Sequence, residues 1–253
     1  MVRATQSHST RARKVAPAGD KAQAPTPREL VRSLGGRWSL QLGIKLDSER
    51  PQELFKWFLA ALLLGARISE RLALQTWQTL TEAGLNSARA ILEADRDRVV
   101  NLLDRGGYAR YDFKTADKLH AASAALQQHY GGDLRKLRDG ADSEEALEGA
   151  LCQLASGIGP VTASIFLREL RGIWPHAQPL PSQKVVLAAR SLGYIDSGRA
   201  NPAQVLEQLQ AVWRKSGGKA ANFADFEAAL MRYQLGAGKK ARRSSRPMRA
   251  DKN

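Results

Sequence analysis

The sequence predicts an all-α protein, and three observations support this fold class. Apolar residues recur at helical spacing in most segments between residues 28 and 235. Ser, Asp, Asn or Pro precedes many of these segments and Gly follows them, as is usual at the starts and ends of helices. No alternation of apolar and polar residues is longer than a few residues, so no strand is predicted. We therefore expect eight or more helices, joined by short loops, in a single fold.

The first third of this region contains its most apolar segment. A short helix over 28–34 is followed by a Gly-Gly pair. Pro51 then opens the segment ELFKWFLAALLLGA, which is apolar on nearly all sides and should be a helix buried at the centre of the fold. Ser69 is expected to cap the next helix, which ends at Gly84, and Ser87 and Asp95 start two more.

The remaining helices begin after similar signals. The loop 107–113 precedes a helix that ends at a second Gly-Gly pair, and Asp133 begins a turn or so of helix. Either Asp142 or Ser143 caps the helix EEALEGALCQLA. The last three helices are expected to begin near Ser182, Pro202 and Asn222.

The charge of the chain is concentrated at its two ends. The formal net charge is +14. Residues 1–28 carry six Lys or Arg and one Asp, and residues 236–253 carry seven and one, which leaves +3 for residues 29–235. We predict two disordered basic tails, 1–27 and 236–253, around a helical domain over 28–235. Such tails either add salt-sensitive attraction to phosphates or only keep the protein in solution.

The cysteine content and the apolar runs limit the class of protein. Cys152 is the one cysteine, so this chain forms no internal disulfide and no Cys-ligated iron–sulfur cluster or zinc site. The first residues lack the apolar core of a signal peptide, and the longest apolar run, 57–66, is too short to cross a membrane. We expect a cytoplasmic protein without membrane association, bound to the nucleoid if the source is bacterial.

A hairpin motif between two apolar helical runs is the most informative stretch of the chain. Residues 151–170 read LCQLASGIGPVTASIFLREL. Gly157 and Gly159 permit a tight turn with left-handed backbone geometry, and Pro160 suits the first turn of the next helix. Ile158 should fill the gap between the two helices. The amides of the turn and of the new helix N-terminus would then point outward together, as in phosphate sites. The alternative is a helix–turn–helix connection without a ligand.

This stretch resembles the helix-hairpin-helix of the endonuclease III-like DNA glycosylase superfamily, whose hairpin reads G-hydrophobic-G-x-x-T-A. The resemblance extends over residues 51–192, because PQELFKWFLAALLLGARIS, GIGPVTASIFLREL and PLPSQKVVLAAR follow one another in the family's order. It implies a helix-hairpin-helix glycosylase-like fold, double-stranded DNA as the partner, with or without lesions, and a role in base-excision repair.

The resemblance also implies the residues that contact DNA. Arg67 lies next to the position of the family's wedge residue, so it either probes the duplex or forms a salt bridge. The family's hairpins often bind a monovalent cation through their carbonyls, and no other cofactor is expected. The hairpin residues expected at the DNA backbone are Gly157, Ile158, Gly159, Val161, Thr162 and Ala163.

Two departures from the family pattern concern its chemistry. In bifunctional members a lysine stands before Thr-Ala and attacks the sugar, whereas this chain has Val161 there. The family's catalytic aspartate should lie near Pro181, but the local sequence LPSQK has no carboxylate. Lysine-dependent cleavage of abasic DNA is therefore not expected, and loss of the carboxylate removes a large part of the electrostatic catalysis.

Other residues are candidates for the missing roles. Lys184 could act as nucleophile or base if it were desolvated, but a solvated or phosphate-contacting lysine is the simpler interpretation. Asp112 lies among Tyr108, Arg110 and Tyr111, a group that could contact an extruded base. Alternatively, Asp112 caps the next helix and pairs with Arg110.

Three functions remain compatible with these residues. The protein is either a DNA glycosylase with altered catalytic residues, or a non-catalytic architectural or lesion-sensing DNA binder. The third alternative is a helical adaptor for other proteins, whose hairpin does not meet DNA.

Overall fold

The computed structural model describes residues 24–196, 198 and 200–244, with side chains up to residue 236. Over these residues the protein consists of helices and contains no β-strand, which confirms the all-α prediction. The helices are α1 (Pro27–Leu34), α2 (Trp38–Gln41), α3 (Pro51–Leu64), α4 (Glu70–Glu82), α5 (Ala88–Glu93), α6 (Arg96–Arg105), α7 (Asp112–Tyr130), α8 (Leu134–Asp139), α9 (Glu144–Gln153), α10 (Pro160–Glu169), α11 (Gln183–Ser191), α12 (Pro202–Lys215) and α13 (Phe223–Ser244).

The predicted helix starts agree with the observed caps. The side chain of Ser69 accepts a hydrogen bond from the amide of Leu72, and Ser87 and Asp95 cap α5 and α6 in the same way. Of the two candidates before α9, Ser143 is the cap. These hydroxyl and carboxylate oxygens satisfy amides that have no acceptor within the first helical turn.

The predicted tail boundaries differ from the observed ends of α1 and α13. Residues 1–23 and 245–253 lie outside the described residues. Pro27 begins α1, and α13 continues to Ser244, past the boundary predicted at residue 235. Ala, Lys and Arg dominate the added turns, and these are good helix formers.

Two apolar clusters form the core. The larger cluster surrounds α3, whose Trp57 and Phe58 are fully buried, and the Trp57 indole N–H donates to the carbonyl oxygen of Phe166 at 2.9 Å. The smaller cluster joins α1, α11, α12 and α13 around Phe226. The prediction that the apolar segment after Pro51 lies at the centre is confirmed.

A group of buried charges joins the two clusters. Glu169 at the end of α10 accepts hydrogen bonds from the amides of Trp38 and Ser39 at 2.8 and 2.9 Å. Arg171 forms an ion pair with Glu227 of α13 at 3.0 Å. Removing one member of such a buried pair typically costs about 3–5 kcal/mol, because the other charge is left without a partner.

Candidate nucleic-acid interface

The hairpin between α9 and α10 turns at Gly157. Its φ of +84° lies in the left-handed region, which a residue with a Cβ resists. Gly159 has φ −126° and ψ −177°, so only the first glycine of the motif has the left-handed geometry expected of both. Ile158 is buried in the larger core cluster. Its side chain therefore packs between the helices, and it offers DNA no side-chain contact.

Four amides of the hairpin have no acceptor among the described residues. They belong to Gly157, Gly159, Val161 and Thr162, and the last two lie in the first turn of α10. The amide of Ala163 donates to the carbonyl oxygen of Gly159 at 3.1 Å. The expectation that Ala163 contributes a DNA-binding amide is wrong, because the helix already uses it.

Two of these amides, those of Gly159 and Val161, lie on an open surface. Val161 is 66 % exposed, and a Cβ on Gly159 would have no other atom within 4 Å. The side chains of Thr162 and Ala163 point into the protein instead. An anion could therefore approach the backbone here without displacing a side chain, and the helix N-terminus favours negative charge.

The loop between α3 and α4 lies against the hairpin. A Cβ on Gly65 would stand 2.6 Å from the hydroxyl oxygen of Thr162 and 3.5 Å from its Cα. Two residues further on, Arg67 is exposed and forms no ion pair with a described residue. The alternative that Arg67 forms a salt bridge is therefore not observed among the described residues.

Lys118 of α7 is a second cation at the hairpin. A Cβ on Gly157 would lie 3.0 Å from Cε of Lys118 and 3.3 Å from its Nζ, so the amine stands at the turn itself. Burial lowers the pKa of this amine, and no described carboxylate pairs with it. The sequence did not indicate Lys118, because α7 and the hairpin are distant in the chain.

The loop before α7 provides fewer surface groups than predicted. Tyr108 is buried, and its phenol oxygen accepts a hydrogen bond from the Thr115 hydroxyl at 3.2 Å. Tyr108 is therefore a core residue and cannot line a base pocket. Tyr111 is 47 % exposed, and the guanidinium of Arg110 lies 5.4 Å from its ring centre. These two side chains remain available to a ligand.

Asp112 has a local structural role. It is the first residue of α7, and its carboxylate accepts a hydrogen bond from the amide of Phe113 at 2.8 Å. It forms no ion pair with Arg110. This position agrees with the interpretation of Asp112 as a helix-terminal residue, where a negative charge is favourable.

Lys184 does not meet the condition for a catalytic amine. It is the second residue of α11 and is exposed. A lysine needs a desolvated or cationic environment to become a nucleophile near neutral pH. The exposed Lys184 is not desolvated. The proposed nucleophile or base at this position is therefore not supported.

One side of the hairpin is acidic. Glu144, Glu145 and Glu148 of α9 line an open cleft of about 560 Å3 with Cys152 and Pro160. Burial, and then the neighbouring Glu145, raise the pKa of Glu144. Burial also raises the pKa of the Cys152 thiol, which makes it a poor nucleophile. This cleft repels a polyanion, which leaves Lys118 at the turn and Arg67 in the adjoining loop as the cations that could contact one.

The described residues contain no group of three or more His, Cys, Asp or Glu side chains suited to a metal ion. The monovalent cation at the hairpin carbonyls stays a prediction. No helix in the described part of the chain is long and apolar enough to cross a membrane.

The chain matches no protein-family model, and a comparison with curated proteins finds no match.

Proposed function

We propose that this protein binds the backbone of double-stranded DNA through the hairpin at 157–162, in the manner of the helix-hairpin-helix glycosylase superfamily. The observation that carries the proposal is a set of amides, at Gly157, Gly159, Val161 and Thr162, that no described residue uses, at a turn whose surface is open at Gly159 and Val161. Backbone amides at a helix N-terminus bind phosphate oxygens without regard to base sequence.

The surroundings of the hairpin support the same partner. Lys118 lies at the turn and Arg67 in the loop that adjoins Thr162, and neither has a described anionic partner, while the net charge of the whole chain is +14. Phosphate contacts by such cations release counterions from DNA and strengthen binding at low salt.

The test adds one negative charge where the phosphate would lie. A Cβ at Gly159 meets nothing within 4 Å, so Gly159→Glu should retain the fold, whereas its affinity for a duplex should fall roughly tenfold or more. Gln208→Glu makes the same change of charge on the exposed face of α12 and serves as the control. Equal affinities of the two variants in fluorescence anisotropy would contradict the proposal and favour the adaptor function.

We propose further that the DNA recognised contains damaged or modified bases, and that the protein lacks lysine-dependent lyase activity. The exposed Val161 in place of a lysine supports the second part. Release of a base from lesion-bearing duplexes would identify a glycosylase. Tight lesion binding without any product would identify a non-catalytic lesion sensor.

A further inference from the structure

Arg168 is a buried arginine without a hydrogen-bond acceptor among the described residues. Its side chain is on α10 and the residue is 5 % exposed. The buried Nε has no partner, and no described residue accepts a hydrogen bond from the rest of the guanidinium. Buried polar groups are almost always paired, so an exception of this kind requires an explanation.

The neighbouring carboxylates are already engaged. Glu169 accepts the amides of Trp38 and Ser39, and Glu227 accepts from Arg171. Burial lowers the pKa of Arg168, although Glu227 and Glu169 oppose this effect. The guanidinium is held instead by stacking, 5.3 Å from the centre of the Trp38 ring.

A cavity of about 210 Å3 lies beside this guanidinium, where α13 meets α4 and α10. This volume is smaller than the range of about 300–1,000 Å3 that is typical for drug-sized ligands. The cavity therefore fits a single small ring. Most of its wall is apolar and comes from Leu64, Ile68, Ile165 and Met231.

Glu70 is the acidic residue in this wall and carries the charge opposite to that of Arg168. Its Oε1 accepts from the Trp38 indole N–H at 2.8 Å and lies 3.4 Å from Nε of Arg232. Its Oε2 has no hydrogen bond to a described residue. The cavity thus presents unused donors on Arg168 and an unused acceptor on Glu70.

The charges around the cavity balance, which favours an uncharged ligand. The charged residues of the cavity wall are Arg168 and Glu70, and their charges are opposite. An added anion would leave an excess negative charge at low dielectric. What a ligand could supply is an acceptor for Arg168 and a donor for Glu70, inside a wall that is otherwise mostly apolar.

We propose that this cavity binds a small planar heterocycle through a lactam edge, with its C=O accepting from Arg168 and its adjacent N–H donating to Glu70. The proposal goes beyond DNA-backbone binding and does not rest on it. A free heterocycle and a base extruded from a duplex present the same edge, so the two sources share this chemistry.

The first test uses 2-pyridone and N-methyl-2-pyridone as probes for the full-length protein. Calorimetry should show binding of 2-pyridone and binding weaker by roughly tenfold or more for the N-methyl compound, because its methyl group replaces the N–H that donates to Glu70. Absence of 2-pyridone binding, or equal affinity for both probes, would overturn the proposal.

Two variants test whether 2-pyridone binds in this cavity. Arg168→Met should abolish 2-pyridone binding, and Ile165→Trp should do the same by filling the cavity without removing the charge. Arg89→Met removes an 82 %-exposed guanidinium of α5 and should bind like the wild type. Wild-type affinity in Ile165→Trp would contradict the proposed location, even if Arg168→Met failed to fold.

The two sources are separated by competition. A duplex with an unpaired uracil that displaces 2-pyridone, while a fully paired duplex does not, assigns the site to extruded bases. If neither duplex displaces 2-pyridone, the site is assigned to free heterocycles. Gly159→Glu should retain 2-pyridone binding in both cases, so failure of the DNA-backbone proposal remains distinguishable from failure of this one.

Discussion

Gly65 and Thr162 bring the α3–α4 loop and the hairpin into contact, since a Cβ on Gly65 would stand 2.6 Å from the Thr162 hydroxyl oxygen. The same Cβ would lie 3.1 Å from the carbonyl oxygen of Ala61. The absence of a side chain at Gly65 therefore allows the loop that carries Arg67 to lie against the first turn of α10.

Gly65→Ala should weaken both folding and DNA binding. The added methyl group must push the loop from the hairpin, and overpacking of this kind typically costs about 1–3 kcal/mol. Urea unfolding and duplex affinity measure the two effects. Gly149→Ala is the control, because a Cβ there meets nothing within 4 Å in the interior of α9 and should stabilise the helix by up to about 1 kcal/mol. A Gly65→Ala variant as stable as Gly149→Ala would contradict the close contact.

Arg67→Gln and Lys118→Gln should each reduce the salt dependence of duplex binding. Each phosphate contact that is lost lowers the slope of log K against log salt by about one, and it does so for all base sequences. Lys215→Gln removes an exposed charge from α12 and should leave the slope unchanged. An unchanged slope in Lys118→Gln would mean that its amine, although next to Gly157, does not reach the DNA.

Val161→Lys should introduce covalent chemistry with abasic DNA. Val161 is exposed, so the substitution is compatible with folding, and the new amine can condense with the sugar aldehyde to give an imine and water. Borohydride reduction should then trap a protein–DNA complex that the wild type does not form. Leu187→Lys places the same amine on the exposed face of α11 and should give no trapped complex. Equal trapping by the two variants would show that residue 161 lies no closer to the abasic sugar than residue 187 does.

Local patterns predicted the helices well because their causes are local. The burial of α3 follows from its apolar composition, and the caps at Ser69, Ser87 and Ser143 follow from hydroxyl groups next to free amides. The hairpin glycines had a local signal as well. Even so, the sequence did not distinguish the left-handed Gly157 from the extended Gly159, because both conformations are open to glycine.

The failures concern residues whose surroundings come from distant parts of the chain. Tyr108 was predicted at a surface loop, but its ring packs into the core and its hydroxyl group pairs with Thr115. The exposure of Lys184 depends on how α11 packs on α13. Arg168 had no signal at all, since an arginine in an amphipathic helix usually faces solvent, and its isolation is visible only in three dimensions.

Tyr194 should couple the stability of the protein to alkaline pH. Its hydroxyl group donates to the carbonyl oxygen of Pro25 just before α1. Burial, with smaller contributions from Glu29 and Tyr233, raises the pKa of Tyr194 from 10.0 to about 12. Because the folded-state pKa is raised, the stabilisation is fully present below pH 10 and is lost as the pH rises towards and through 12.

Tyr194→Phe should therefore be less stable than the wild type at neutral pH, and the difference should shrink between pH 10 and 12. The loss at neutral pH is that of one hydrogen bond, about 1 kcal/mol at most, because Tyr194 is partly exposed. Urea unfolding of both proteins at each pH measures the difference, and the other tyrosines and the lysines cancel in the comparison. A difference that stays constant across this range would show that the Tyr194 hydroxyl group titrates alike in the folded and unfolded chain.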